Sequence, residues 1–400
     1  MKTNNDQNNI HSNGHNQWFN RNRKKAAIMV VICALFIVLA VALVTALIRG
    51  RELKVSPDRT LSGVDKDVCD ALWYASVSAN SHNTQALKVK LYPDAGIMEV
   101  RVDDSRTLKV VDPAKREAYF SVGCYLETLR ESFEAYGFDT DISFFKDKDG
   151  CKADVIYRKK TETAFDAGKL SLINKRHTDK SAFSTDALDK TAVDKILKSY
   201  KQTEDAADTI SVTWFRTGSD GYRYLQDGTL DAIKAQSENQ DYRDELADWM
   251  RFSDREAAEK LDGISGDMIG LKGMIKSIYY WTTSHESAKE DKFAEQGIST
   301  AKKQLDGCGA FFVITGENTQ EELMQAGMTT QSLWFDCTEN GISIQPMSAM
   351  LEISPYADNI QKDLSMKQQV QMILRAGYAK NYGKNIGLRR NLTDYIEVVR

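Results

Sequence analysis

The chain has 400 residues, 42% of them apolar and 28% charged, with 53 basic against 57 acidic groups for a net charge of −4. That apolar fraction supports a buried core and excludes a disordered chain, and the near-balance of charge argues against a nucleic-acid binder. Six cysteines without a C-x-x-C pair, and only five prolines, exclude a disulfide scaffold, a cysteine-rich zinc module and a proline-rich stalk.

Charge is unevenly placed. Residues 1–25 carry Lys2, Arg21, Arg23, Lys24 and Lys25 against Asp6, and Ala26 to Ile48 carry no charge. Residues 1–25 read as a basic, disordered tail rich in Asn and Gln, in which His11 and His15 read as solvated. The apolar run of 26–48 is long enough, at about 1.5 Å per residue, to cross a hydrocarbon core of roughly 30 Å. It exceeds the apolar stretch of a secretory signal, so it reads as a retained single-pass transmembrane helix in membrane lipid. Arg21, Arg23, Lys24 and Lys25 precede it, and Arg49, Arg51 and Lys54 follow. The positive-inside rule then places the N-terminus in the cytoplasm and the body outside. Residues 49–65 read as a linker.

From Asp65 onward helical and strand-like patterns alternate. Asp65 to Ser78 has helical spacing, and Ala86 to Tyr92 and Met98 to Val102 alternate as half-buried strands do. Glu117 to Tyr136 is a long amphipathic helix ended by Gly137. Strands follow at 142–145 and 153–157, a helix at 189–200 and a strand at 210–215. Residues 220–260 are charged and mostly helical. A strand at 310–315 precedes a second long helix, Thr319 to Asn340, ended by Gly341. Strands at 342–345 and 371–378 complete a mixed α/β or α+β body. Shifting the chain by 204 residues lays Gly123 on Gly327, Leu129 on Leu333 and Gly137 on Gly341. This echo predicts two related units with a seam near 160–170.

No G-x-S-x-G elbow, H-E-x-x-H or Walker loop is present. Two polar stretches stand out. Asn80-Ser-His-Asn-Thr-Gln85 brings uncharged donors and acceptors to one loop, suited to the polar edge of a flat heterocycle or, equally, to a helix stop with Asx-turn chemistry. In Lys175-Arg-His-Thr-Asp-Lys180, an extended backbone points Arg176, Thr178 and Lys180 to one side. A guanidinium, a hydroxyl and an ammonium make a phosphate clamp or, equally, a solvated basic turn. Lys384, Arg389 and Arg390 are candidates to complete the clamp.

Together these stretches resemble the FMN-dependent nitroreductase family over about residues 66–395. Ser81-His-Asn-Thr-Gln85 matches its S-x-N-x-Q loop, although the family's following Pro-Trp is Ala86-Leu87 here. Arg176-His-Thr-Asp-Lys180 matches its R-x-[ST]-x-[KR]. Gly341-Ile-Ser-Ile-Gln-Pro-Met-Ser348 is similar to its flavin-side loop, and Arg375-Ala-Gly-Tyr378 to its late strand. The resemblance implies a nitroreductase-like α+β fold with central antiparallel-rich sheets flanked by helices. It implies FMN as cofactor, NAD(P)H as electron donor, and a ping-pong hydride transfer to a flat electron-poor small molecule such as a nitro compound or quinone. Arg176, Thr178 and Lys180, with Arg389 or Arg390, would hold the phosphate. Ser81, His82, Asn83 and Gln85 would hold the ribityl chain and ring edge. Pro346, Met347 and Ser348 would line the N5 side, with the backbone amides around Met347 and Ser348 facing it. No catalytic acid, base or nucleophile and no metal is assigned.

In the family the clamp precedes the loop, whereas here the loop comes first. This order implies a monomer with an internal pseudo-dimer of two fused half-units, 66–168 and 169–400, and one flavin site. Residues 242–285, with Trp249, Phe252, Tyr279, Tyr280 and Trp281, read as an insertion able to cover the flavin as a lid. The alternatives are a flavin-binding or sequestering protein with little turnover, and a degenerate scaffold without flavin.

Overall fold

The computed structural model describes residues 6–161, 164–200 and 210–400. It divides into two compact units. The first comprises residues 1–52 with 272–281, and the second 53–271 with 282–400.

The first unit is built on α1 (Asp6–Arg49). Within it, Asn22–Thr45 has a mean hydropathy of 3.3 and is long and apolar enough to cross a membrane. Residues 6–25 are helical and not the unstructured tail expected from composition, and residues 1–5 of that tail lie outside the described residues. No proline interrupts residues 6–25, and a helix nucleated in the apolar run gains one backbone hydrogen bond per added residue. The side chains of His11 and His15 lie outside what is described. A short helix from the middle of the chain belongs to the same unit and is taken up below.

The second unit carries two sheets. After α2 (Lys66–Ser76) come β1 (Leu87–Tyr92) and β2 (Ile97–Val102), then the 20-residue α3 (Arg116–Ala135), β3 (Phe138–Asp147) and β4 (Gly150–Lys159). Two short helices, α4 (Ala167–Lys175) and α5 (Lys190–Lys198), lead to β5 (Ser211–Arg216). The charged stretch resolves into three helices, α6 (Asp220–Glu238), α7 (Gln240–Trp249) and α8 (Asp254–Lys260). Asn239 and Ser253 cap the second and third, each accepting from a backbone N–H in the following turn. After α9 (Gly273–Thr282), which belongs to the first unit but for its last residue, come α10 (Asp291–Asp306), β6 (Ala310–Gly316) and α11 (Gln320–Glu339). The chain closes with β7 (Ser343–Pro346), α12 (Tyr356–Asp363), β8 (Gln369–Gly377) and β9 (Ile396–Val398).

One sheet has the order β3-β4-β2-β1-β9 and the other β5-β6-β8-β7. All pairings are antiparallel except β1 with β9, which sets Val89 opposite Ile396 in parallel. The fold class is α+β, as expected. The first sheet buries one face, so Leu87, Val89 and Leu91 are buried while Lys88 and Lys90 are exposed. The second sheet is covered on both faces: Phe312 and Ile314 pack with Trp334 of α11, and Phe311 and Val313 pack with Leu225 of α6.

The long helices α3 and α11 cross at glycines. A Cβ on Gly123 would lie 1.9 Å from the Met324 carbonyl oxygen, and a Cβ on Gly327 would lie 2.0 Å from that of Phe120. The contact is reciprocal. Phe120 and Met324, like Gly123 and Gly327, are 204 residues apart, the spacing of the echo in the sequence. Gly137 and Gly341 follow the two helices with φ of 78° and 69°, the left-handed geometry that glycine takes at no steric cost.

Candidate functional site

The site lies at the C-terminal end of α2, where the chain passes into the 80–85 loop. The Asn80 side-chain oxygen accepts from the Gln85 N–H at 3.0 Å and closes the loop. His82, Asn83 and Gln85 have φ of 46°, 54° and 52°. Three non-glycine residues in the left-handed region within four positions hold costly conformations that the surroundings must enforce, and such strain gathers at functional sites.

The loop carboxamides meet the chain itself. Asn83 donates to the Gly263 and Leu388 carbonyls at 3.0 and 3.1 Å, and its oxygen accepts from Arg389 at 2.8 Å. Gln85 donates to the Leu261 carbonyl at 2.9 Å and accepts from the Arg390 N–H at 2.9 Å. These two side chains therefore do not present a free edge to a ring. They fasten residues 261–263 and the C-terminal arm to the loop. Residues 261–267 are buried throughout, and Asp262 is held by Arg251 (2.5 Å) and by Arg106.

Two guanidiniums converge on the last carbonyls of α2. Arg389 donates to the carbonyls of Ser76, Ser78 and Leu388 and to Asn83. Arg176 donates through Nη2 to the Val77 carbonyl at 2.6 Å and stacks 4.8 Å from the Trp334 ring centre. A helix C-terminus carries partial negative charge and attracts cations, which accounts for the placement of both. It does not account for the remaining donors. Arg176 is 2% exposed, and its buried Nε and Nη1 have no hydrogen-bond partner. No carboxylate pairs with Arg176 or Arg389 among the described residues. Burial lowers Arg176 to about 10, and burial together with the Arg176 charge lowers Arg389 to about 9. Because an arginine stays charged in practice, the direction reads as an unmet demand for an anion.

The other clamp residues diverge. Thr178 bridges to Ile344 in parallel. Lys180 is half-buried, desolvation lowers its pKa, and its charge helps to lower that of His82. His82 is also depressed by burial, and its Nδ1 is buried without a partner. Arg390 stacks on Tyr395, 5.6 Å from the ring centre, and donates to the Gln85 carbonyl at 3.2 Å. In the third stretch, Pro346 ends β7 and the Met347 amide donates to the Ile373 carbonyl at 2.8 Å. The Met347 amide is therefore engaged in the sheet and does not face a ligand.

Sequence reasoning missed an acidic pair. Glu117, in the first turn of α3, accepts from the Ser81 hydroxyl at 2.5 Å, and its other carboxylate oxygen is buried without a hydrogen-bond partner. Burial and the neighbouring Glu117 raise Glu352 well above the usual range, while the Arg116 charge and the Ser81 hydrogen bond keep Glu117 low despite its own burial. A glutamate in a first helical turn is ordinary in sequence, and Glu352 lies 235 residues away, so nothing local marked it.

No family model matches the chain, and no curated protein matches its sequence. Solved nitroreductases do match it in structure. An FMN-dependent nitroreductase of Mycobacterium smegmatis, solved with NADPH, is 16% identical, with 57% of this chain and 96% of that one covered at a TM-score of 0.35. An FMN- and NADPH-dependent nitroreductase of a Sphigopyxis strain is 14% identical over 57% and 96%, with a TM-score of 0.37. A nitroreductase of Desulfitobacterium hafniense with bound FMN is 10% identical over 58% and 97%, with a TM-score of 0.35.

Proposed function

We propose that the chain is a membrane-anchored, FMN-dependent oxidoreductase of nitroreductase type, with one flavin site in a pseudo-dimeric body. The observation that carries this reading is the buried Arg176 with two unpartnered donors beside Arg389. That arrangement fits a phosphate, which would give both cations a counter-charge through charge-assisted hydrogen bonds. The fit is confined to that end of the site. The loop carboxamides are already bonded, so Asn83 and Gln85 are positioning residues: Asn83 orients Arg389, and Gln85 holds Arg390 and Leu261.

When bound, FMN supplies the hydride-accepting and hydride-donating chemistry. The chain's own residues do the rest. Lys180 and His82 supply cationic and neutral donors next to the loop. Ser81 holds Glu117, whose charge helps to raise Glu352 and so favours a proton on that carboxyl. The acceptor in this reading is a flat electron-poor molecule, nitro compound or quinone, and NAD(P)H is a donor where the body meets it. The two halves of the pseudo-dimer both contribute: Val77 and Asn83 come from residues 66–168, and Arg176 and Arg389 from residues 169–400. The reciprocal glycine crossing at a spacing of 204 supports this duplication. Residues 26–48 would anchor the chain, with the N-terminus in the cytoplasm.

A second reading, flavin binding with little turnover, is favoured by one observation: the buried segment 261–267 rests on the 83–85 loop. FMN titration of the purified chain, followed by absorbance and by NAD(P)H oxidation, tests both. FMN uptake that is lost in Arg176→Met supports the flavin site. Uptake without NAD(P)H oxidation selects the second reading. No uptake overturns both.

A further inference from the structure

We infer that α9 is an interfacial membrane helix, inserted by its apolar side at the lipid headgroup boundary where the anchor emerges. The inference rests on the reading of residues 26–48 as a membrane anchor, and it concerns a different stretch of chain.

The first observation is that the helix is inside out. In a water-soluble setting an amphipathic helix buries its apolar stripe and exposes its polar one. In α9, Lys276 and Ser277 are fully buried, while Met274, Ile275, Ile278 and Trp281 are 48%, 67%, 47% and 48% exposed. Those four lie at positions i, i+1, i+4 and i+7, which is one helical face. Isoleucine, methionine and tryptophan side by side on an exposed face form a patch of the kind that marks contact with another apolar phase.

The second observation is what α9 is joined to. The Gly273 N–H donates to the Gly50 carbonyl at 2.9 Å, and the Lys276 ammonium donates to the Arg51 carbonyl at 2.8 Å. A Cβ on Gly50 would lie 2.2 Å from the Gly273 carbonyl oxygen, so the two backbones touch and a side chain at Gly50 would separate them. Gly50 and Arg51 immediately follow the helix whose Asn22–Thr45 stretch is long and apolar enough to span a bilayer. The polar side of α9 thus caps the chain at the end of the anchor, and its apolar side is turned away from that contact.

The third observation is charge and residue type. Residues 268–285 contain no Asp or Glu, and Lys272 and Arg51 are exposed nearby. A basic, acid-free segment suits a surface of anionic headgroups. Tyr279, Tyr280 and Trp281 stand in a row at its end, the residue types that concentrate at membrane–water boundaries. The occupant of this face is therefore a lipid surface. The five aromatics read together as one lid over a flavin divide accordingly: Tyr279, Tyr280 and Trp281 belong to the unit of the anchor, and Trp249 and Phe252 to the body.

Site-directed spin labelling of the full chain tests this. Cys33 is exposed and the other five cysteines are buried, so Cys33→Ser gives a quiet background. Single nitroxides are placed by Ile275→Cys on α9, Leu35→Cys on the anchor and Asp220→Cys on the body surface. Each chain is reconstituted into vesicles of phosphatidylcholine and phosphatidylglycerol, and collision with oxygen is compared with collision with an aqueous nickel chelate. The inference expects the label at 275 to meet the chelate several-fold less than the label at 220, to meet oxygen freely, and to lie shallower than the label at 35. A label at 275 that meets the chelate as the label at 220 does, or that meets neither reagent, overturns the inference while a lipid-embedded label at 35 leaves the anchor intact. A water-exposed label at 35 overturns the anchor reading, and the inference falls with it.

Discussion

Arg375 and Arg176 are both arginines buried in the second unit, and burial lowers each to about 10. Their surroundings differ. Arg375, in β8, donates to the carbonyls of Gln304, Gly307, Asp179 and Ser181 and to the Gln345 side chain, and it lies 3.8 Å from the Phe183 ring centre. Arg176 has one carbonyl, one indole face and two nitrogens with nothing to bond. A buried cation whose donors are all matched ties elements together. One left half-matched in a well-packed place is retained for something else, and an incoming anion is the simplest candidate. Both belong to motifs that carried the family resemblance, Arg176 as a phosphate-clamp candidate and Arg375 in the late strand, and their hydrogen bonds separate the two in the structure.

The contrast breaks most visibly through stability. Arg375→Met removes five donor contacts and leaves buried acceptors unmatched. It is expected to cost about 3–5 kcal/mol in the purified chain. Urea unfolding monitored by tryptophan fluorescence reads this directly. If Arg375→Met unfolds with the midpoint of the parent, Arg375 is not the tie described here.

Arg176→Met is expected to behave differently in two respects. Without ligand its stability should stay within about 1 kcal/mol of the parent, because the loss of one hydrogen bond and one cation–π contact is offset by relief of an unpaired buried charge beside Arg389. With ligand the two should separate. FMN at 100 times its dissociation constant should stabilise the parent by about 2.7 kcal/mol through mass action, and this gain should vanish in Arg176→Met. Differential scanning fluorimetry across an FMN series, repeated with inorganic phosphate, measures it. An equal FMN-dependent rise in both chains would remove Arg176 from the site.

Asn83 sharpens the comparison at a lower level. Asn83→Leu should raise the FMN dissociation constant through misplacement of Arg389, and it should also loosen the 261–263 segment, which limited proteolysis would detect near Leu261. A bonded carboxamide is worth about 1 kcal/mol, so a several-fold change is expected. A weakened affinity with an unchanged digest would mean that Asn83 touches the ligand directly.

Much of the fold was legible. The α3 and α11 helices show their apolar spacing and their terminal Gly137 and Gly341, and β1 shows its alternation, because these signals are local. The 204-residue echo was legible as a coincidence of three positions and acquires meaning only when Gly123 and Gly327 touch backbone to backbone. The charged stretch at 220–260 was read as helical, but its division by Asn239 and Ser253 depends on capping competing with continuation. The polar loop at 81–85 was visible as a stretch of uncharged donors and acceptors, but its partners within the chain were not. Its partners Leu261, Gly263 and Leu388 lie 176 to 305 residues away, beyond any periodic signal. For α9 the sequence shows apolar and aromatic residues, but which face is buried is a property of packing.

A buried acid extends the contrast to the opposite charge, with the smallest effect. Glu127 on α3 has one matched partner, Arg130 at 2.6 Å, and burial still pushes it up to about 7 from 4.5. Between those values the folded chain holds a proton that the unfolded chain has released. Stability from this group is therefore full below about pH 4.5, falls as pH rises toward 7, and stays lost above it. Glu127→Gln removes the titrating group and keeps its shape. The difference in unfolding free energy between the parent and Glu127→Gln should change by roughly 1 kcal/mol between pH 6 and pH 7, with the parent losing ground as pH rises. Parallel pH profiles in the two chains would mean that Arg130 matches Glu127 as fully as the carbonyls match Arg375. An opposite slope would mean that the pair is more stable ionised than its burial allows.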